Sequence, residues 1–290
     1  MNVRLWGTRG SLPTPGPATR RYGGNTSCVE VTGSRSKHAI VLDAGSGIRL
    51  LGAALAPTLE RVDVLLTHLH LDHIIGLGFF AALFERDLDV NIWGPASTTL
   101  ALRDRLGRYL SPPLFPVRLR DLPCRLSLHD VPLGTFDLPE MQVTTALVCH
   151  PGPTVGYRLD DGQGTLAYLP DHEPALGVRR FPEACRWTSG HDLAAAADLL
   201  IHDAQYARDE YQSHVGWGHS SVHQAVAFAE LAGVRHLVPF HHDPAHNDEY
   251  LDALYQQYAE DACELQITPA QEGARFEVRG TRSRSTSTPS

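Results

Sequence analysis

The chain has 290 residues, of which 42% are hydrophobic and 20% are charged. This composition excludes a disordered chain, which could not bury enough apolar surface to offset its ordering entropy. The 25 basic and 33 acidic residues give a net charge of −8, which disfavours a protein that coats duplex nucleic acid. The sequence shows no CxxC pair, signal peptide or apolar run of membrane-spanning length, which predicts a reduced, cytoplasmic setting without a membrane segment.

Short apolar runs alternate with helical patterns in the first half of the chain. Strands are predicted at Val3–Trp6, Ser27–Thr32, Ala39–Asp43, Val62–Thr67 and Val90–Trp93. A stretch rich in glycine and proline, from Gly7 to Asn25, predicts irregular structure between the first two strands. Helices are predicted at Ile74–Phe84 and from an N-cap at Ser97 through Leu106.

The second half repeats this alternation. Strands are predicted at Val143–Val148, Val155–Leu159, Thr165–Leu169, Asp198–Ile201, His236–Phe240 and Ala274–Val278. Helices are predicted at Ser221–Ala232 and Asp248–Cys263. The tail from Gly280 to Ser290 has no large apolar residue and is predicted to be disordered. Together these elements predict two layers of strands with helices outside them, an α/β sandwich.

The chain has 16 histidines, and three of them follow one buried strand in the segment His68–His73. Three imidazoles and the carboxylate of Asp72 within six residues suit borderline metals such as zinc, which take nitrogen and oxygen ligands. Alternation in an extended segment puts His68 and His70 on one side, and a turn into the next helix would bring Asp72 and His73 to a second position. One loop could therefore serve two metal ions. The alternative is a solvated histidine-rich loop.

The segment from Thr67 to Gly76 resembles the hallmark loop of the metallo-β-lactamase superfamily. Other segments resemble the remaining motifs of that superfamily, in the same order: Val41–Gly45, His150 after a strand, Leu169–Asp171 and Val238–His241. The resemblance implies an αββα sandwich with a one- or two-metal site on its edge. Because it extends from Val3 to Val278, we expect a single hydrolase domain over residues 1–279.

The resemblance also implies a set of metal ligands. One metal would be held by His68, His70 and His150, a second by Asp72, His73 and His241, and both by Asp171 as a bridge. This set leaves room for a bridging hydroxide, because two cations would lower the pKa of the bound water towards neutrality. Asp72 would orient that hydroxide. Zinc is the favoured metal, with manganese and iron as alternatives. His172 and His242 remain alternatives to their neighbours Asp171 and His241, and Asp43 is expected to orient ligands.

Two later segments, Leu199–Ala204 and Gly218–Ser221, resemble paired motifs of ribonuclease Z-type phosphodiesterases. By that resemblance His219 protonates the leaving oxygen and Asp203 orients His219. Phosphodiester hydrolysis needs such an acid because an alkoxide is a poor leaving group. Asp203 stands where this branch commonly has glutamate, so the pairing distance is left open. The alternative places His219 in the N-cap region of a helix.

The short segment between His150 and Asp171 limits the range of expected substrates. Ribonuclease Z grips tRNA with a long arm between the third motif and the bridging carboxylate, whereas only Pro151–Pro170 separates His150 from Asp171 here. With the negative net charge, this favours a small phosphodiester, most closely a cyclic nucleotide, and disfavours a nucleic-acid polymer. The alternatives are a ribonuclease Z-like RNA-processing nuclease, a hydrolase of esters, thioesters or lactones, and a non-catalytic metal-binding signalling module. The branch further implies a homodimer.

Several further residues are candidates for contact with the substrate. Two polar residues of the opening segment could meet a phosphate oxygen: Arg9 and Asn25. Three aromatic residues could stack on a base, although each more often belongs to a core: Trp217, Tyr206 and Phe79. Three histidines match no motif and are expected on the surface or in packing: His214, His223 and His246.

Overall fold

The computed structural model describes residues 1–33, 37–178, 180–259 and 265–280. The predicted disordered tail lies outside the described residues beyond Gly280, and so does the end of the predicted helix Asp248–Cys263. Among the residues that the model covers in this way, no helix combines the length and apolar character that crossing a bilayer requires.

Two seven-stranded sheets lie at the centre of the molecule. The first contains β1 (Asn2–Gly7), β2 (Cys28–Thr32), β3 (His38–Leu42), β4 (Arg61–Leu65), β5 (Asp89–Pro95), β6 (Arg125–Val131) and, on its edge beside β1, β14 (Arg275–Glu277). The second contains β7 (Gly134–Leu138), β8 (Met141–Leu147), β9 (Val155–Asp160), β10 (Thr165–Leu169), β11 (Leu199–Asp203), β12 (His236–Phe240) and β13 (Gln266–Ile267). Strands β3 to β6 are parallel, and so are β10 to β13.

Helices cover the outer faces of both sheets. They are α1 (Ile48–Ala54), α2 (Leu71–Ile74), α3 (Leu102–Gly107), α4 (His191–Ala194), α5 (Val222–Leu231) and α6 (Asp248–Ala259). Strand β4 is buried on both faces, so that Leu65 lies in the core between the sheets while Val64 packs with Ile48 of α1 on the outside. The second sheet packs Leu200 against Phe228 of α5 in the same way. The predicted αββα sandwich is confirmed.

The predicted helix Ile74–Phe84 is wrong. The segment contains the end of α2 and two short 3₁₀ turns, Leu77–Phe79 and Ala81–Phe84. The N–H of Gly76 donates to the carbonyl of Ala44, and a Cβ at Gly76 would collide with the Gly45 carbonyl. This close approach of two backbones ends the helix, although the segment is apolar enough to continue it.

The predicted N-cap at Ser97 is also wrong. Helix α3 begins at Leu102, and the preceding residue, Ala101, makes no side-chain cap. The Ser97 hydroxyl instead accepts a hydrogen bond from the N–H of Thr99, 3.3 Å away, in a local turn. Serine often bonds its own neighbours in this way, which removes it from capping.

The parallel strands bring several polar residues to one end of the sandwich. Asp43 follows β3, Thr67 and His68 follow β4, Asp171 follows β10 and His241 follows β12. The two sheets are joined at this end, since the Tyr157 hydroxyl donates to the Leu66 carbonyl at 2.7 Å. Residues far apart in the chain therefore meet at the carboxyl ends of the strands.

Candidate metal centre

Asp43 and His241, which follow β3 and β12, adopt the left-handed backbone conformation, with φ of 59° and 63°. This region is costly for residues other than glycine and is found where tertiary contacts demand it. At His241 the turn aims the side chain at the cluster of imidazoles and carboxylates at this end of the sandwich, and at Asp43 it places the carboxylate behind one imidazole of that cluster, His73.

The structure brings His68, His70 and His150 together as one set of possible metal donors. His150 Nε2 lies 3.2 Å from His70 Nδ1, and the rings of His68 and His70 have centroids 4.4 Å apart. Burial, the largest effect, lowers the pKa of all three imidazoles, and that of His68 falls well below its usual value. Neutral imidazole is the form that binds metal.

Asp72, His73, Asp171 and His241 form the second set. Asp72 Oδ2 lies 3.3 Å from His73 Nε2 and 3.2 Å from His241 Nε2. Burial alone would lower the pKa of His73, but Asp171, Asp72 and Asp43 outweigh it and raise that pKa well above its usual value. A metal cation would take the place of the proton as the positive charge among these carboxylates.

Asp171 lies between the two sets and turns one oxygen towards each. Its Oδ2 is 3.7 Å from His68 Nε2 and 3.8 Å from His150 Nε2. Its Oδ1 is 2.9 Å from His73 Nε2 and 3.4 Å from His241 Nε2. Burial alone would raise the pKa of Asp171, but His241, His73 and His68 outweigh it and hold that pKa well below its usual value. An ionised carboxylate in this place fits a bridge between two cations.

Orphaned polar atoms show that the residues fit a metal. Within the described part of the chain, three buried atoms at the centre of the cluster form no hydrogen bond of acceptable geometry: His68 Nε2, His73 Nε2 and Asp171 Oδ1, although the last two lie 2.9 Å apart. Buried polar atoms without partners are rare and costly, and they call for an unseen ion or water. Imidazole nitrogens with carboxylate oxygens are the donor set that zinc and related divalent metals prefer.

The far nitrogens of the imidazoles are held by protein oxygens. His73 Nδ1 donates to Asp43 at 2.9 Å, His150 Nδ1 to the Gly218 carbonyl at 2.8 Å and His241 Nδ1 to the Gln205 side chain at 3.1 Å. In the neutral, metal-binding form of the imidazole, each bond places the proton on Nδ1 and leaves the Nε2 lone pair facing the cluster. Oriented imidazoles of this kind are typical of metal sites.

Asp43 contacts the cluster from behind, through His73. Besides His73, it accepts hydrogen bonds from the Thr67 N–H and hydroxyl and from the Tyr168 hydroxyl at 2.9 Å. Thr67 in turn contacts His68 Nδ1 at 3.0 Å. Asp43 thus fixes residues of both sheets around the cluster without facing it.

The structure decides between the adjacent residues that the sequence left open. His241 faces Asp72 and Asp171, whereas His242 bonds the Ala270 carbonyl and the Tyr255 hydroxyl on the other side. Asp171 faces the cluster, whereas His172 Nδ1 lies 2.9 Å from His202 Nε2 in the interior. In each pair, the neighbouring histidine faces away from the cluster.

His219 lies beside the cluster and is paired with Asp203. Its Nδ1 is 2.6 Å from Asp203 Oδ2 and 3.9 Å from Asp171 Oδ2, so the shorter aspartate does reach the imidazole. Burial alone would lower the pKa of His219, but Asp203, with Asp171 and Asp72, raises it to about 9. Bound cations would oppose that rise. Asp203 is itself fixed by the N–H groups of Ser220 and Gln205.

Two of the suggested substrate contacts are wrong. Arg9 is fully buried, and its guanidinium donates to the backbone carbonyls of Gly23, Asp243 and His246. Tyr206 is buried, and its ring stacks on that of His214 with centroids 4.4 Å apart. Neither side chain has a free surface for a phosphate or a base.

The other suggested contacts differ in their accessibility. The Asn25 amide is used within the protein, by Glu272 and Ser46. Trp217 and Phe79 are 60% and 61% exposed. Trp217 precedes His219 by two residues, and its ring meets that of His214 edge-on, with centroids 4.8 Å apart.

Three contributing residues were missed in the sequence: Ser11, Tyr168 and Gln205. The N–H of Ser11 donates to Asp72 at 2.8 Å, and Gln205 orients His241. The position of Gln205, two residues after Asp203, was a usable signal because both belong to one motif. Ser11 and Tyr168 carry no such signal, since their contacts depend on the packing of distant strands.

A family model for the beta-lactamase superfamily domain matches residues 38–242. Ribonuclease Z from Mycobacterium sp. (strain KMS) is 30% identical over 262 residues, which cover 84% of this chain and 85% of that protein.

Among solved structures, the metallo-beta-lactamase fold protein YhfI from Bacillus subtilis is 18% identical with a TM-score of 0.68, over 95% of this chain and 98% of that one. Human tRNase Z, short form, is 21% identical with a TM-score of 0.66, over 96% of this chain and 98% of that one. Both share the fold described above.

Proposed function

Since the chain belongs to the metallo-β-lactamase superfamily, in its ribonuclease Z-like branch, and is a metal-dependent hydrolase, we propose that it hydrolyses a phosphodiester. The observation that carries this proposal is the pair His219 and Asp203, with Nδ1 and Oδ2 2.6 Å apart beside Asp171. A proton donor next to a metal site matches the need of a reaction that expels an alkoxide. Hydrolysis of an ester, thioester or lactone has less need of one.

Two divalent metal ions, which we propose to be zinc, would be held by the two donor sets. When bound, they would supply a nucleophile by lowering the pKa of water and would stabilise charge on the phosphate oxygens. Their ligands would be His68, His70 and His150 for one ion, Asp72, His73 and His241 for the other, and Asp171 for both.

The residues beside the metals would handle the leaving group. His219, held through Nδ1 by Asp203, presents its opposite nitrogen, Nε2, for proton donation to the leaving oxygen. Asp203 accepts the N–H groups of Ser220 and Gln205, at 3.0 and 3.1 Å, and so keeps a fixed orientation. The Ser11 N–H fixes Asp72 in the same manner, which suits a carboxylate that orients the attacking water.

We propose a small phosphodiester as the substrate, with a cyclic nucleotide as the closest case. Strands β9 and β10 and the turn between them use nearly all of the connection between His150 and Asp171, which leaves no room there for a tRNA-gripping arm. The exposed ring of Trp217, two residues before His219, offers a surface for a base.

RNA end processing is the second candidate, and one observation favours it. The curated relative that is 30% identical over most of this chain is named Ribonuclease Z. Activity on a polymer would involve several phosphate contacts and would fall steeply with salt, whereas activity on a small diester would depend weakly on salt.

A substrate panel tests the proposal. Purified, zinc-loaded protein is assayed on bis-p-nitrophenyl phosphate, on 3′,5′- and 2′,3′-cyclic nucleotides and on a tRNA precursor, each at low and high salt. We expect turnover of a cyclic nucleotide to exceed that of the precursor. Preferential, salt-sensitive cleavage of the precursor would contradict the proposed small substrate and would favour RNA processing.

The variant His219→Ala tests the proton donor. It should retain its metal and lose about 10²- to 10⁴-fold in turnover of a substrate with an alkoxide leaving group. The loss on a p-nitrophenyl diester should be much smaller because that group departs without protonation. Asp203→Asn should show a milder form of the same selectivity. Equal losses on both substrates would contradict proton donation.

We also propose that the chain forms a homodimer, by its membership of this branch. Light scattering on the eluting peak of a sizing column measures the mass directly. A mass of one chain, 31.8 kDa, would overturn this part of the proposal.

A further inference from the structure

A buried carboxylate, that of Glu173, holds a loop beside the metal centre. Glu173 is 1% exposed, and its Oε1 accepts the Tyr211 hydroxyl at 2.6 Å. The N–H of Gly216 is 3.1 Å from both oxygens, and the N–H of Gly218 is 3.0 Å from Oε2. One side chain therefore ties together three residues of the loop 211–218.

The glycines of this loop make the arrangement possible. Gly216 and Gly218 both have φ of 86°, a conformation that side chains other than glycine rarely adopt. Successive N–H groups in such a turn point to one side and form a concave site for an anion. Here the anion is supplied by the protein itself. A Cβ at Gly218 would in addition collide with Pro151 and His150.

The loop contacts both functional parts of the site. The Gly218 carbonyl accepts the hydrogen bond from His150 Nδ1 at 2.8 Å, and His219 is the next residue. Glu173 also holds the segment that carries His150, because its own N–H donates to the Cys149 carbonyl at 2.9 Å. Glu173 is thus joined to His150 from two sides and to His219 through one peptide.

We propose that Glu173 is a positioning residue, which aims His150 at its metal and His219 at the leaving group by fixing the loop 211–218. The part that concerns His219 rests on the proposed function, and the part that concerns His150 does not. The N–H of Gly218 is buried and would lose its partner once the carboxylate is removed, which disfavours the conformation of the loop.

The chemistry of the contacts predicts which replacement is tolerated. In Glu173→Gln, the amide oxygen can accept hydrogen bonds from the N–H groups of Gly216 and Gly218. The amide nitrogen can donate to the Tyr211 hydroxyl, which then accepts the hydrogen bond instead of donating it. Glu173→Gln should therefore retain most of the positioning, whereas Glu173→Ala should lose it. Adding Tyr211→Phe to Glu173→Gln removes the acceptor for the amide nitrogen and should worsen the single variant.

The first readout is metal binding, which requires no substrate. Metal-stripped proteins are titrated with zinc by calorimetry. Glu173→Ala should weaken one of the two binding steps by about 10- to 100-fold, as is usual when the partner of a ligand is removed. Glu173→Gln should stay within about tenfold of the wild type. An unchanged zinc affinity in Glu173→Ala would overturn the role assigned at His150.

The second readout is the dependence on the leaving group, measured at saturating zinc. Glu173→Ala should lose more activity on an alkoxide-leaving diester than on a p-nitrophenyl diester, because a misplaced His219 matters only where protonation is needed. Equal losses on the two substrates would overturn the role assigned at His219. If the wild-type protein is inactive on every diester, the proposed function is refuted. The zinc titration would still test whether Glu173 positions His150, because it requires no substrate.

Circular dichroism and thermal unfolding serve as the control for general damage. The selective losses should occur in a protein that keeps its native spectrum at the assay temperature. If Glu173→Ala does not fold, the single variant Glu173→Gln is compared instead with the double variant Glu173→Gln, Tyr211→Phe. Equal zinc affinity and equal leaving-group selectivity in those two variants would then overturn the proposal.

Discussion

Two buried networks of carboxylates and imidazoles lie at opposite ends of β3 and β4, and they differ in how completely the protein satisfies them. Near the start of these strands, Asp63 accepts hydrogen bonds from His38 at 2.7 Å, from Arg61 at 2.6 and 2.9 Å and from Trp93 at 2.8 Å. The other nitrogen of His38 is 3.1 Å from the Pro139 carbonyl. Every polar atom of Asp63 and His38 has a partner.

The network around Asp171, past the ends of the strands, is incomplete. Three of its buried atoms, on His68, His73 and Asp171, lack a hydrogen-bond partner among the described residues. The unsatisfied imidazole nitrogens both lie near Asp171, at 3.7 Å for His68 Nε2 and 2.9 Å for His73 Nε2, while the opposite nitrogens of His73, His150 and His241 bond protein oxygens. A buried cluster of acids and histidines is therefore not itself a sign of metal, and the convergence of unsatisfied atoms distinguishes the second network from the first.

The largest expected effect comes from breaking the incomplete network at its centre. Asp171→Ala should lose at least one metal equivalent, because it removes the carboxylate that faces both donor sets. Activity should fall by more than about 10²-fold, beyond the range typical for residues that only orient ligands. Metal analysis after gel filtration measures the first effect. A variant with full metal content would show that Asp171 is not a ligand.

A smaller effect is expected from Asp43, which touches the incomplete network only from behind. Asp43→Asn keeps the size of the side chain but weakens its bonds to His73, Thr67 and Tyr168. Zinc affinity should fall by about 10- to 100-fold, with two equivalents still bound at saturation. Calorimetric titration separates affinity from stoichiometry. Loss of one equivalent at saturation would mean that Asp43 is itself a ligand.

The complete network should contribute stability and leave the chemistry unchanged. Asp63→Asn should bind two zinc ions and keep its activity, while urea unfolding at pH 7 should show a loss of roughly 2 to 3 kcal/mol. Burial alone would raise the pKa of Asp63, but His38, Arg61 and Trp93 outweigh it and lower the pKa to about 2. Weakened zinc binding in this variant would contradict the division between the two networks.

The sign of the pH dependence follows from that lowered pKa. The unfolded chain binds a proton on Asp63 near pH 3.9, well before the folded chain does. The stabilisation by Asp63 is therefore fully present above about pH 4 and is lost as the pH falls towards about 2. The difference in unfolding free energy between wild type and Asp63→Asn should shrink over that window. A constant difference would contradict the assigned cause.

The sequence predicted those elements whose signal is local. Thr165–Leu169 and His236–Phe240 coincide with β10 and β12, because strands buried on both faces read as short apolar runs. The edge strands β6 and β7, one in each sheet, were missed. Leu126 and Leu128 of β6 are only half-buried, so the apolar signal of this edge strand is weak.

The candidate site likewise contains residues that a local sequence pattern reveals and residues that it does not. His68 to His73 could be recognised because the donors share one loop after a buried strand. The choice of His241 over His242 depends on a backbone conformation, and the contribution of Glu173 depends on a loop about forty residues further along the chain. Contacts of this kind are set by tertiary packing, which no local pattern encodes.

The unsatisfied network around Asp171 is proposed to bind two metal ions, and anomalous diffraction can locate them. A crystal of zinc-loaded protein measured at the zinc absorption edge should show two peaks. One should lie at about 2.0 to 2.3 Å from the donors of His68, His70 and His150, and the other at such distances from Asp72, His73 and His241, with Asp171 touching both. A map without a peak in this cluster, or with a peak at the network of Asp63, would contradict the account.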